Sequence, residues 1–193
     1  MRELDSLGKA THITLMGGWT GFYICTTDKS AEGASRKIFP PAISGRPVKI
    51  EPDKDFIRVD LGTYWSKVPS ADFAKLSLDF DTDVIWLRFH NGTETFEFHH
   101  WRAGNLLRSL VFGCYEKERT WERVEGTAEP WEREAIFDSR NLQCALEDAK
   151  SNEAKQELER IWREAEILPG RTEPGLSSEY CMEKVQQYYH FPL

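Results

Sequence analysis

Three residues in the middle of the chain, His90, Glu97 and His99, could supply acid–base chemistry or hold a metal ion. Imidazole and carboxylate groups are frequent general acids and bases, and both also bind transition metals such as zinc. The three residues fall on two predicted strands and, by alternation, on one face of the sheet. In the predicted register, His90 and His99 lie at opposite ends of their strands. The sequence therefore leaves a small-ligand- or metal-dependent enzyme as the alternative function.

A run of alternate aspartates, Asp79, Asp81 and Asp83, is the second candidate for metal or phosphoryl chemistry. A calcium loop starting at Asp79 would need glycine at its sixth position and a bidentate glutamate at its twelfth. The chain has Val84 and His90 there, so we interpret the aspartates as the end of a helix and a turn. The chain also lacks the GxSxG, Walker A and GxGxxG patterns. We therefore predict no catalytic residue and no cofactor from motifs.

Aromatic residues give a different signal, because seven tryptophans are many for 193 residues. Trp86 and Arg88 lie on the predicted outer face of the sheet, and Trp121 and Trp131 follow in a mixed-charge segment. Tryptophan and arginine dominate the binding energy of many protein interfaces. We predict a non-catalytic protein-interaction module of the adaptor or immunity-inhibitor type, which uses these four residues.

The charge balance bears on the partner of such a module. There are 25 Lys plus Arg against 32 Asp plus Glu, a net charge of −7. This balance argues against a nucleic-acid partner, because binding to phosphates needs clustered basic residues. We expect the partner to be another protein, with a basic one favoured by charge, or a second copy of this chain in a homo-oligomer. No apolar stretch predicts a signal peptide or a membrane helix, so we expect a cytoplasmic protein with no membrane partner.

The candidate residues are positioned by a predicted hairpin around Asn91-Gly92, a dipeptide that favours a two-residue type I′ turn. Such a turn places His90 opposite Thr93 and Arg88 opposite Thr95. It also predicts that Trp86 faces Glu97 and that Arg108 of the following strand faces His99. Alternation then predicts an apolar inner face made of Ile85, Leu87, Phe89, Phe96 and Phe98.

The remaining pattern predicts an α+β fold with a mainly antiparallel sheet. Strand-like and helix-like segments alternate in the order β-α-β-β-α-β-β-β, for which a duplicated ferredoxin-like arrangement is one option. Helical spacing returns at 139–168 and 178–189, with Ser151 as a predicted helix cap. We predict a sheet-containing domain over residues 1–138 and a helical carboxy-terminal extension, 139–193, packed on it. The earlier elements are predicted at 20–26, 30–39, 47–60, 70–80, 83–101 and 106–113.

Overall fold

The computed structural model describes residues 17–39, 41–43, 46–63, 67–173 and 175–192. The strands are β1 Gly18–Ile24, β2 Ala42–Ile43, β3 Arg46–Pro47, β4 Lys49–Pro52, β5 Ile57–Asp60, β6 Asp83–His90, β7 Thr95–Arg102, β8 Asn105–Phe112 and β9 Trp121–Gly126. The helices are α1 Ser30–Ile38, α2 Ser70–Asp79, α3 Pro130–Ala135, α4 Ser139–Asp148, α5 Asn152–Glu164 and α6 Ser178–Tyr189.

Seven strands form one sheet in the order β4-β5-β1-β6-β7-β8-β9, and every neighbouring pair is antiparallel. This confirms the predicted α+β fold with an antiparallel sheet. The order β4-β5-β1-β6, with α1 and α2 as the connections, is that of a split βαβ unit. Strands β7, β8 and β9 continue as a meander without helices between them, so the predicted duplication is not confirmed.

One face of the sheet is covered by α1 and α2, and we call it the α1/α2 face. Helix α2 buries Phe73 and Leu76, which lie three residues apart and therefore on the same side of the helix. The Phe73 ring centroid lies 5.6 Å from that of Trp86 and 5.1 Å from that of Trp101. Burial of these large rings stabilises the helix on the sheet.

The opposite face carries a second hydrophobic cluster, which includes residues of α3, α5 and α6. The ring of Trp131 on α3 meets Phe98 edge-on at 5.0 Å between centroids. After α6, Phe191 stacks on Tyr23 of β1 at 3.8 Å. The sheet is therefore buried on both faces, while the domain boundary at residue 138 stays a prediction. Among the described helices, none has the length and apolar composition needed to cross a bilayer.

The β6–β7 hairpin has a different register from the predicted one. Residues 91–94 form the connection, so His90 pairs with Thr95 and Arg88 pairs with Glu97. The left-handed residue of this turn is Glu94, with φ 51°, whereas the predicted type I′ turn requires positive φ at its two central residues. The connection therefore has four residues, and the predicted two-residue turn is wrong.

The inner face of this hairpin was nevertheless predicted correctly. A shift of two residues leaves every side chain on its original face, because alternation in a strand has a period of two. All five apolar residues predicted for that face are buried in the second cluster. The cross-strand partners differ from the predicted ones. Trp86 lies opposite His99, and Arg108 lies opposite His100 and not His99.

Candidate functional site

The four residues predicted to form an interaction surface are all buried. Trp86, Arg88, Trp121 and Trp131 are at most 2% exposed. Helix α2 covers Trp86, while Trp121 and Trp131 belong to the cluster on the opposite face. The expectation of an exposed aromatic face at these residues is therefore wrong, because helices pack against both faces of the sheet.

Glu97 is the centre of a buried polar network on the α1/α2 face. It is 1% exposed, and each of its carboxylate oxygens has two partners. Oε2 accepts a hydrogen bond from Trp86 Nε1 at 3.1 Å and pairs with the Arg88 guanidinium. Oε1 accepts from His99 Nε2 at 3.0 Å and from the Tyr115 hydroxyl at 2.9 Å. This network depends on the observed register, which places Arg88 directly opposite Glu97.

The network keeps Glu97 ionised despite its burial. Burial by itself raises the pKa of this carboxyl group, but the hydrogen bonds from His99 and Tyr115, together with the positive charge of Arg88, outweigh it and lower the pKa. Burial likewise opposes the charge on Arg88, but the negative charge of Glu97 together with the effects of Tyr115 and Cys114 outweighs it and raises the pKa of Arg88. The pair is therefore charged on both sides, and each charge compensates the other.

His99 has one ring nitrogen in the network and one outside it. Because an ionised carboxylate only accepts hydrogen bonds, we assign the proton of the Glu97 contact to His99 Nε2. A neutral imidazole protonated at Nε2 has its lone pair on Nδ1. This atom makes no hydrogen bond with any residue that the structure describes. His99 therefore offers an acceptor nitrogen, although its ring is only 2% exposed.

This ring lines a pocket of about 380 Å³, which we call the β7 pocket. Val68, two residues before α2, and Ser70, its first residue, line the pocket, as do Val111 of β8 and Tyr115. The loop after β8 is fixed in place because the Glu122 carboxylate accepts the backbone N–H groups of Tyr115 and Glu116, each at 2.9 Å. Lys67 and Arg123 also line the pocket and add positive charges.

The structure brings together two of the three residues predicted as an acid–base or metal site. Glu97 and His99 are in contact, but His90 lies at the far end of β6 and contacts the Thr93 hydroxyl through Nδ1 at 3.2 Å. In the ranges that the structure describes, no group of three or more His, Cys, Asp or Glu side chains is arranged to hold a metal ion. Tyr115 was missed because its contact with Glu97 joins residues 18 positions apart.

A second histidine cluster lies on the opposite face of the sheet. His100 Nε2 contacts Asp83 at 2.8 Å, and Nδ1 contacts Glu129 at 2.7 Å. The Tyr189 hydroxyl lies 3.1 Å from Nδ1 and donates to Glu129 at 2.6 Å. Sequence alternation separates the adjacent His99 and His100 onto opposite faces, but it gives no sign of these distant partners. Both ring nitrogens of His100 have polar partners, whereas only Nε2 of His99 has one among the described residues.

No family model, curated protein or solved structure matches this chain. The site is therefore interpreted from its own geometry and chemistry.

Proposed function

We propose that the protein binds a small polar molecule in the β7 pocket and that His99 Nδ1 accepts a hydrogen bond or a proton from it. One observation carries this proposal: His99 Nε2 is held by Glu97, while Nδ1 is unpaired among the described residues and the ring lines the pocket. A histidine whose second nitrogen is held by a carboxylate is oriented for general base catalysis. The corresponding reaction class is removal of a proton from an O–H or N–H group.

Glu97 acts here as a positioning residue. Its two oxygens already have four partners, so it has little capacity left for a ligand. Its role is to fix the His99 ring and to stabilise the imidazolium that forms when Nδ1 takes a proton. Arg88 pairs with the Glu97 carboxylate and helps to hold it in place beside the His99 ring.

This proposal develops the alternative function predicted from the sequence, without His90 and without a metal. The protein-interaction module and the cytoplasmic location stay predictions. Burial of Trp86, Arg88, Trp121 and Trp131 removes the surface on which that module was based, and this favours the pocket.

The proposal is tested by screening small phenols, alcohols and amides against the ¹⁵N-labelled protein by NMR. Compounds that bind in the pocket should shift the signals of His99 and Tyr115. His99→Phe removes the acceptor nitrogen and should weaken binding of such donors about tenfold or more. His90→Phe is the matched control, because His90 lies outside the pocket, and it should bind them as the wild type does.

Two results would contradict the proposal. One is a folded His99→Phe variant that binds the donor compounds as tightly as the wild type. The other is a screen in which no compound shifts the pocket signals. Thermal unfolding of both variants shows whether the loss of a ring nitrogen has changed the fold.

A further inference from the structure

A second cavity of about 430 Å³, which we call the Glu173 cavity, is formed by other residues than the β7 pocket. It is bordered by Glu94 of the β6–β7 turn, by the end of β8 and by the segment that precedes α6. Its lining combines two carboxylates with apolar and polar groups. The lining residues used below are Glu94, Phe112, Arg119, Thr172, Glu173 and Leu176.

Glu173 contributes a buried carboxylate to this cavity, and one of its two oxygens has no hydrogen-bond partner among the described residues. Its side chain is 1% exposed, and Oε2 accepts from Trp121 Nε1 at 2.9 Å and from the Arg171 guanidinium at 2.6 Å. Oε1 has no hydrogen-bond partner among the described residues. Buried polar atoms are nearly always paired, so an unpaired carboxylate oxygen at a cavity indicates a missing donor.

Glu94 brings the second carboxylate, and its backbone is strained. Its φ of 51° lies in the left-handed region, which is unfavourable for a residue with a side chain. Glu94 Oε2 accepts from the Ser178 backbone N–H at 2.8 Å and from its hydroxyl at 3.0 Å. Oε1 makes no hydrogen bond with the described residues, so the cavity has two carboxylates that each retain a free oxygen.

We propose that the Glu173 cavity binds a small primary organic ammonium ion, with its N–H groups donating to Glu94, Glu173 and Thr172. An ammonium group has three donors and no acceptor, which matches two carboxylate oxygens and a hydroxyl. Hydrogen bonds between charged groups are stronger than neutral ones. Phe112 and Leu176 provide the apolar surface for the alkyl part of the ion.

Arg119 is a positively charged residue in the lining of the Glu173 cavity. Its guanidinium lies 5.8 Å from the centroid of the Phe112 ring. The same positive charge opposes a second cation nearby. Removal of the charge by Arg119→Gln should therefore strengthen binding, in the opposite direction to a change at Glu173.

The experiment uses ethylammonium chloride as the probe and follows the indole N–H signal of Trp121, which donates to Glu173. Ethylammonium should shift this signal saturably, whereas tetramethylammonium, which has no N–H donor, and neutral ethanol should leave it unchanged. Glu173→Gln should weaken the binding about tenfold or more, because a hydrogen bond between two charged groups is lost. Glu125→Gln, at an exposed carboxylate of β9, is the matched control and should bind normally.

The proposal is overturned if ethylammonium causes no saturable shift in the wild type or if tetramethylammonium binds equally well. It is also overturned if a folded Glu173→Gln variant binds ethylammonium as the wild type does. Should Glu173→Gln fail to fold, Arg119→Gln decides the matter: tighter binding supports the site, and unchanged or weaker binding contradicts it. None of these results depends on the β7 pocket, so the two proposals fail or survive separately.

Discussion

His100 should make the stability of the protein depend on pH in the alkaline range. Its ring joins β7 to Asp83 at the start of β6 and to Glu129, the residue before α3, at 2.8 and 2.7 Å. The Tyr189 hydroxyl of α6 also contacts Nδ1 and Glu129. These groups tie the carboxy-terminal helices to the sheet, and two of them are carboxyl groups that stabilise a protonated imidazole.

The size of the effect follows from the change in pKa on folding. Burial by itself lowers the pKa of His100, but the hydrogen bonds to Asp83 and Glu129 outweigh burial and raise it to about 9. An unfolded histidine has a pKa of about 6.5, and each pKa unit corresponds to about 1.4 kcal/mol, which gives about 3 kcal/mol. Because the pKa is raised in the folded state, this stabilisation is complete below about pH 6.5 and is lost as the pH rises through about 9.

Urea unfolding at a series of pH values measures the contribution of His100 to the free energy of unfolding. The free energy of unfolding of the wild type should fall by about 3 kcal/mol more between about pH 6 and pH 10 than that of His100→Gln. The difference between the two proteins removes the contribution of other groups that titrate in this range. His90→Gln, which leaves the cluster intact, should behave as the wild type. Equal pH dependence of the wild type and His100→Gln would refute the reasoning.

Three further substitutions test the buried ion pair and the backbone conformation of two glycines. Glu97→Ala removes the carboxylate that pairs with the buried Arg88 and should reduce the free energy of unfolding by about 3–5 kcal/mol in urea titrations, so a loss below about 1 kcal/mol contradicts the network. Gly126 has φ 83°, and a Cβ atom there would lie 1.9 Å from the Leu107 carbonyl oxygen, so Gly126→Ala should cost about 2 kcal/mol or more. Gly33→Ala in α1 meets no atom within 4 Å and should instead stabilise the protein by about 0.5–1 kcal/mol in the same assay.

Local signals in the sequence predicted the elements better than their partners. Helix α2 begins at Ser70, although the N-cap position is Pro69 and no side chain caps the helix, whereas Ser151 caps α5 by accepting a hydrogen bond from the Ala154 backbone N–H at 3.1 Å. Both signals lie within a few residues of the structure that they form. Helix α3 has no counterpart among the predicted elements, although Pro130 stands at its first position, where proline is favourable.

The candidate site was only half predictable, for a physical reason. Alternation places Glu97 and His99 on one face whatever the register is, so their proximity could be inferred from the sequence. Whether Arg88 or Trp86 faces Glu97 depends on the length of the turn, which the Asn-Gly signal gave incorrectly. The burial of Trp86 depends on α2, and the donor from Tyr115 depends on a loop beyond β8. Such contacts arise from packing and leave no periodic signal.

The central claim is that His99 presents an unprotonated Nδ1 to the β7 pocket while Nε2 donates to Glu97. Long-range ¹H–¹⁵N NMR correlations of the imidazole ring distinguish a protonated from an unprotonated ring nitrogen directly. In the neutral ring we predict the proton on Nε2, and we predict that this preference weakens in Glu97→Gln, where the carboxylate is replaced by an amide. A neutral His99 ring with its proton on Nδ1 in the wild type would contradict the account.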